Sequence, residues 1–180
     1  MVCAQEAYWQ LSLDGVVLMP LGRPSHRSID SDPGPEERYR LCEAAAQGVD
    51  WLTVSRVEVD RPGETFTVDT LEQLRRENPA DEYVFVLGAD QAMRLESWRE
   101  PARVLELAPL AVAERAGVPL EALHDIAVRL GGENRLSTFS MPRVDVSSTE
   151  VRERVASGRP YRFMVPERVA EQIEQEGLYR

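Results

Sequence analysis

The chain has 180 residues, 43% hydrophobic and 29% charged, which is enough apolar content for one full core, and a single domain over 1–180 is expected. A formal net charge of −10 excludes general binding to nucleic acid or to an anionic membrane, since both need a basic face. No apolar run reaches the roughly 18 residues of a membrane span, and Cys3 and Cys42, without paired or metal spacing, fit a reducing, cytoplasmic setting.

In chain order, Ala4 to Leu13 reads as a helix ending near Gly15, and Val16 to Met19 as a buried strand. Pro20 to Pro35 is rich in proline, glycine, serine and aspartate, so a loop is expected, followed by a helix over Glu36 to Gln47. Leu52 to Val59 predicts a strand. Thr67 to Glu77 predicts a helix stopped by Asn78-Pro79. The unbroken apolar run Tyr83 to Leu87, bounded by Gly88, has the character of a parallel strand covered on both faces. A helical pattern over Gln91 to Leu107 follows, then a strand at Leu110 to Ala113 and a helix at Leu120 to Leu130. Gly131-Gly132 reads as a turn, and Arg135 to Met141 as the last strand. Helices at Val151 to Ala156 and Glu167 to Glu176 complete the chain, with Pro166 at the first helical position and Gly177 just past the end. Repeated β–α alternation predicts an α/β fold with an open, doubly wound, mostly parallel sheet.

The run Val146-Ser147-Ser148-Thr149-Glu150-Val151-Arg152-Glu153-Arg154 carries the most chemistry. Ser147 with Glu150 fits a capping box, which accounts for the hydroxyl groups without any ligand. Arginines are unfavourable near a helix N-terminus, however, unless an anion reverses the local sign. N–H groups, hydroxyls and a guanidinium would then converge on one phosphate. Gly88-Ala89-Asp90 ends a strand where ligands of open α/β sheets bind. Asp90 there either accepts from ribose hydroxyls or caps the next helix. Pro24-Ser25-His26-Arg27 is either a solvated loop or a donor set for a second phosphate. At Thr65-Phe66-Thr67-Val68-Asp69-Thr70, N–H groups could receive a carboxylate, or Asp69 could simply offset the dipole. Trp98 is suited to stacking on a flat heterocycle or to packing in the core. His26 and His124 lie far apart, and no metal-ligating cluster is visible.

The order of these motifs, from Pro-Ser-His-Arg through Thr-Phe-Thr-Val-Asp-Thr, Gly-Ala-Asp and Ser-Trp to Val-Ser-Ser-Thr-x-x-Arg, resembles bacterial nicotinate-nucleotide adenylyltransferase. Val165-Pro166 to Gly177-Leu178-Tyr179 is similar to that family's ending, so the resemblance runs from Cys3 onward. It implies a Rossmann-like nucleotidyltransferase fold and transfer of AMP from ATP to nicotinate mononucleotide, with Mg²⁺ accompanying ATP. Ser147, Ser148, Thr149 and Arg152 would hold ATP phosphates, and Gly88 and Asp90 would meet a ribose. Backbone groups around Thr67 would read the nicotinate carboxylate under a stacked Trp98. His26 and Arg27 stand where the family has His-Lys near the substrate phosphate. Arg115 stands at its Arg-x-Gly position, with Ala116 replacing the usual proline. The family's opening strand, Gly-Gly-Thr/Ser-Phe-Asp-Pro turn and His-x-Gly-His element have no counterpart here. The domain is therefore expected to be N-terminally truncated, without its first central strand, and no catalytic residue is assigned. Another adenylyltransferase, such as the pantetheine-phosphate type, or a non-catalytic nucleotide-binding fragment, stands as the alternative.

Overall fold

The computed structural model describes residues 1–24, 32–115 and 117–180. The first half of the chain forms α1 (Val2–Gln10), β1 (Val16–Leu18), β2 (Arg23–Pro24), α2 (Pro35–Ala46), β3 (Leu52–Val54), β4 (Glu64–Thr65), α3 (Thr67–Glu77) and β5 (Phe85–Gly88). The second half forms α4 (Ala89–Ala92), α5 (Pro101–Leu107), β6 (Leu110–Ala113), α6 (Leu120–Arg129), β7 (Leu136–Phe139), α7 (Ser148–Ala156) and α8 (Glu167–Gln175). Two short 3₁₀ turns, Leu95–Ser97 and Arg162–Met164, interrupt it. Every strand pairing among the described residues is parallel, as the β–α alternation predicts.

Residues 1–14 and 66–143 make one unit, built on a sheet of order β5-β6-β7. All four residues of β6 are buried, and alternation along the strand explains how. Leu110 and Val112 enter a cluster with Val68 and Leu71 of α3, Val104 and Leu105 of α5, and Leu123 and Ile126 of α6. Ala111 and Ala113 face the other way, against Ala7 of α1 and Phe139 of β7. Small residues on that face leave room for a helix to lie close. Helices thus cover both faces of the sheet, which is why its strands read as unbroken apolar runs.

Residues 15–65 and 144–180 make the second unit. Here β1 pairs with β3, Val16 opposite Leu52, and β2 pairs with β4. Helix α2 packs on β3 and α8. The inward residues of α8 are Ala170 and Ile173, and Arg168 Nη1 donates to Gln47 Oε1 at 2.6 Å. Gly177, two residues past α8, has a φ of +62°, the left-handed conformation that favours glycine after a helix.

The structure corrects several sequence expectations. The helix expected over Gln91 to Leu107 is three pieces, α4, the Leu95–Ser97 turn and α5, and the last break falls where Glu100 sits at φ +49° and Pro101 starts a new helix. The strand expected over Leu52 to Val59 stops at Val54. Beyond it the Val57 N–H turns back to Ser55 Oγ (3.2 Å) and the Asp60 N–H to the Arg56 carbonyl (2.9 Å). Residues Val16–Leu18 are only partly buried, with Val17 46% exposed. Pro166 is the N-cap of α8 rather than its first helical residue, and the loop expected over Pro20 to Pro35 contains the short strand β2.

Candidate active site

In the first unit, the carboxyl ends of neighbouring strands β5 and β6 bring Gly88, Asp90 and Arg115 together. Arg115 Nη1 lies 3.5 Å from Asp90 Oδ2, and both side chains are exposed. A Cβ at position 88 would stand 2.9 Å from Asp90 Oδ1, so glycine is what lets the Asp90 carboxylate fold back over the strand end. This is the edge of an open α/β sheet where ligands bind. The Asp90–Arg115 pair joins positions 25 apart in sequence, and nothing in the local pattern announces it.

A second cluster of this unit surrounds the start of α3. Phe66 occupies the N-cap without a side-chain cap, in extended conformation (φ −124°, ψ 141°), and Thr67 is the first helical residue. Asp69, in the first turn, accepts from Arg99 Nη1 at 3.3 Å. The Arg99 guanidinium also lies 4.8 Å over the Phe66 ring, a cation–π contact. The neighbouring Trp98 is half-buried. It meets Phe85 edge-on, with centroids 5.9 Å apart at 88°, and borders the main core cluster. Trp98 therefore packs against the core while remaining partly accessible. Arg99 is a residue that sequence reasoning missed. Its only signal was its place directly after Trp98.

In the second unit, Ser147 caps α7: its Oγ accepts the Glu150 N–H at 3.0 Å. The reciprocal half of a capping box is replaced, since the Glu150 carboxylate accepts from Arg154 Nη2 at 2.8 Å. The cap uses a lone pair of Ser147 and leaves its hydroxyl proton to donate elsewhere. The first intrahelical bond runs from the Val151 N–H to the Ser147 carbonyl (3.1 Å), so the N–H groups of Ser148 and Thr149 precede the helix's own ladder. Ser147, Ser148 and Thr149 are all exposed. The two arginines of this helix differ. Arg154 is held by Glu150 and by the Pro160 carbonyl at 3.0 Å. Arg152 donates to Thr149 Oγ1 at 3.3 Å and has no carboxylate partner among the described residues.

His26 and Arg27 lie outside the described residues, as does Ala116. The chain on either side of His26 and Arg27 is anchored by Arg38 of α2. Its Nε donates to the Leu21 carbonyl at 2.9 Å, and its terminal nitrogens to the Gly22 carbonyl and to Asp32. Among the described residues no group of three or more His, Cys, Asp or Glu stands close enough to hold a metal. None of their helices is long and apolar enough to cross a membrane.

The profile of the cytidylyltransferase-like family matches residues 1–154. A protein of Rubrobacter xylanophilus, named a probable nicotinate-nucleotide adenylyltransferase, is 36% identical over all of this chain and 85% of its own length. One of Thermus thermophilus with the same name is 39% identical over all of this chain and 91% of its own. Among solved structures, the Plasmodium falciparum nicotinic acid mononucleotide adenylyltransferase complexed with NaAD superposes with a TM-score of 0.76. It covers 99% of this chain and 88% of that one at 15% identity, a likeness of fold.

Proposed function

The chain belongs to the cytidylyltransferase-like family, among its nicotinate-nucleotide adenylyltransferases, and from that membership we propose that it transfers AMP from ATP to nicotinate mononucleotide, forming deamido-NAD and pyrophosphate in NAD biosynthesis. The observation that carries this reading is identity running the whole length of the chain with relatives of that name.

The reaction needs no protein nucleophile. A phosphate oxygen of the mononucleotide attacks the α-phosphorus of ATP in line, and the bond from that phosphorus to the β-bridging oxygen breaks, releasing pyrophosphate. Catalysis is then positioning plus neutralisation of the charge that builds on the phosphates. The α7 start is suited to phosphate oxygens. The Ser148 and Thr149 N–H groups, the Ser147, Ser148 and Thr149 hydroxyls and the Arg152 guanidinium are donors on one surface, and only Arg152 brings a full charge. Asp90, steadied by Arg115, offers carboxylate oxygens to ribose hydroxyls beside the open backbone of Gly88. Thr67 contributes its backbone to the nicotinate carboxylate, and Trp98 the uncovered part of its half-buried side chain to the ring. Arg115 also faces substrate, and His26 and Arg27 take the mononucleotide phosphate. Mg²⁺ keeps most of its own waters and binds through substrate phosphates plus one or two carboxylates, so it needs no dedicated acidic cage, and the described residues form none. Bound to ATP it would supply charge neutralisation. The reaction is assigned to the cytoplasm, with no part for nucleic acid or membrane.

The test is pyrophosphate release by the protein expressed from its intact gene, with ATP and a panel of acceptors. Release with nicotinate mononucleotide is expected. Release with 4′-phosphopantetheine instead, or nucleotide binding with no release, would replace this reading.

A further inference from the structure

The charge pattern around α3 carries a further role, resting on the reading of Thr67 and Trp98 as the nicotinate pocket. Nicotinate differs from nicotinamide by a carboxylate charge. Asp69 sits in the first turn of the helix whose start would receive that charge, so an uncompensated Asp69 would repel the acid substrate and leave the amide untouched. Arg99 answers this. Its Nη1 is 3.3 Å from Asp69 Oδ2, its guanidinium lies over the ring of Phe66, the N-cap, and it follows Trp98 directly in the chain. The contact with the Phe66 ring keeps the cation beside the helix start, and a fork of five N–H donors is not used up by one carboxylate. A second, longer contact joins Arg99 Nε to Glu100 Oε1 at 3.7 Å.

We infer that Arg99 is a specificity-determining residue, one that cancels the Asp69 charge at the nicotinate pocket and so sets the preference for the acid mononucleotide over the amide. Arg99 and Asp69 are about half and one-third exposed, so the interaction is moderated by water. One unit charge at hydrogen-bonding distance in such surroundings is worth about fivefold in kcat/KM.

Steady-state kinetics with nicotinate and nicotinamide mononucleotides would test this on the protein from the intact gene. Arg99→Ala should lower kcat/KM for the acid about fivefold and leave the amide within about twofold. Arg99→Lys, which keeps the charge, should retain most of the preference. In the double variant Arg99→Ala with Asp69→Asn the acid-to-amide ratio should return toward the parent value, a rescue that a merely structural role would not produce. Equal losses for both substrates, no change in either, or failure of the double variant to recover the ratio overturns the role of Arg99. Trp98→Ala separates this from the pocket itself. Losses with both substrates uphold the pocket, whereas parental activity in Trp98→Ala overturns the pocket and the Arg99 role together.

Discussion

Two arginines of α7, two residues apart in sequence, should behave oppositely when removed. Arg152 makes a single side-chain hydrogen bond, to Thr149 at 3.3 Å at the surface, and pairs with no carboxylate among the described residues. Arg152→Ala therefore strands no buried partner, and unfolding free energy should change by less than about 0.5 kcal/mol, as for surface substitutions in general. If the side chain neutralises phosphate charge, its loss withdraws a preorganised charged donor, and kcat/KM should fall by about 2–4 kcal/mol of transition-state stabilisation. That is about 30-fold to 1,000-fold. Arg154 ties Glu150 to the Pro160 carbonyl, so Arg154→Ala should lose about 0.3–0.5 kcal/mol of the helix pair. Turnover should hardly respond. Denaturant melts and initial rates of pyrophosphate release on the same preparations give both numbers. A large drop in melting temperature for Arg152→Ala with kcat/KM unchanged would make Arg152 structural and refute its role at the phosphates.

Leu105→Ala should destabilise by about 2–5 kcal/mol, because Leu105 is 1% exposed in the main core cluster and leaves a cavity, readable as a lowered urea midpoint. Gly88→Ala should weaken ATP binding, followed by calorimetry, while sparing the fold: the new Cβ presses on Asp90 Oδ1 at 2.9 Å, and that exposed side chain can swing away only by leaving Arg115. Hydrogen bonds from Arg56, Arg129 and Arg162 hold the carboxyl groups of Glu36, Glu96 and Glu167 below the usual carboxylate range. A depressed folded-state pKa gives stability that is complete above the ordinary carboxylate value of about 4.3 and is lost as pH falls through the lower, folded value. Melting temperature should therefore decline below that pH, and less steeply in Arg129→Gln, where Glu96 has lost its partner.

The sequence was most legible where several signals agreed. Helix α3 starts at Thr67 and ends at Glu77 as its opening residues and Asn78-Pro79 predict, and β6 falls on Leu110–Ala113, a short apolar run consistent with a strand covered on both faces. The Gln91 to Leu107 segment misled because Ala92, Leu95, Val104 and Leu105 all enter one core. Apolar spacing records which side is buried, while the break at Glu100-Pro101 is a backbone event that the spacing does not record. Val57, Glu58 and Val59 alternate like a strand, yet Ser55 and Arg56 start a turn whose hydrogen bonds compete with a ladder. At the site, the Ser147 cap was readable from Ser147 and Glu150 alone. The Glu150 pairing with Arg154, at i,i+4 spacing, was not drawn from the sequence, where Glu150 reads only as a capping residue. Long-range pairings were not readable. Asp90 with Arg115 and Asp69 with Arg99 depend on which strands and helices become neighbours.

Direct transfer of the adenylyl group to a pyridine mononucleotide is tested most directly by isotope tracing. ATP labelled at the α-phosphorus, incubated with nicotinate mononucleotide and the protein from the intact gene, should deliver its label to deamido-NAD, with unlabelled pyrophosphate released in equal amount. Label trapped on the protein would contradict a reaction without a protein nucleophile, and label remaining in ATP while pyrophosphate fails to appear would contradict the transfer itself.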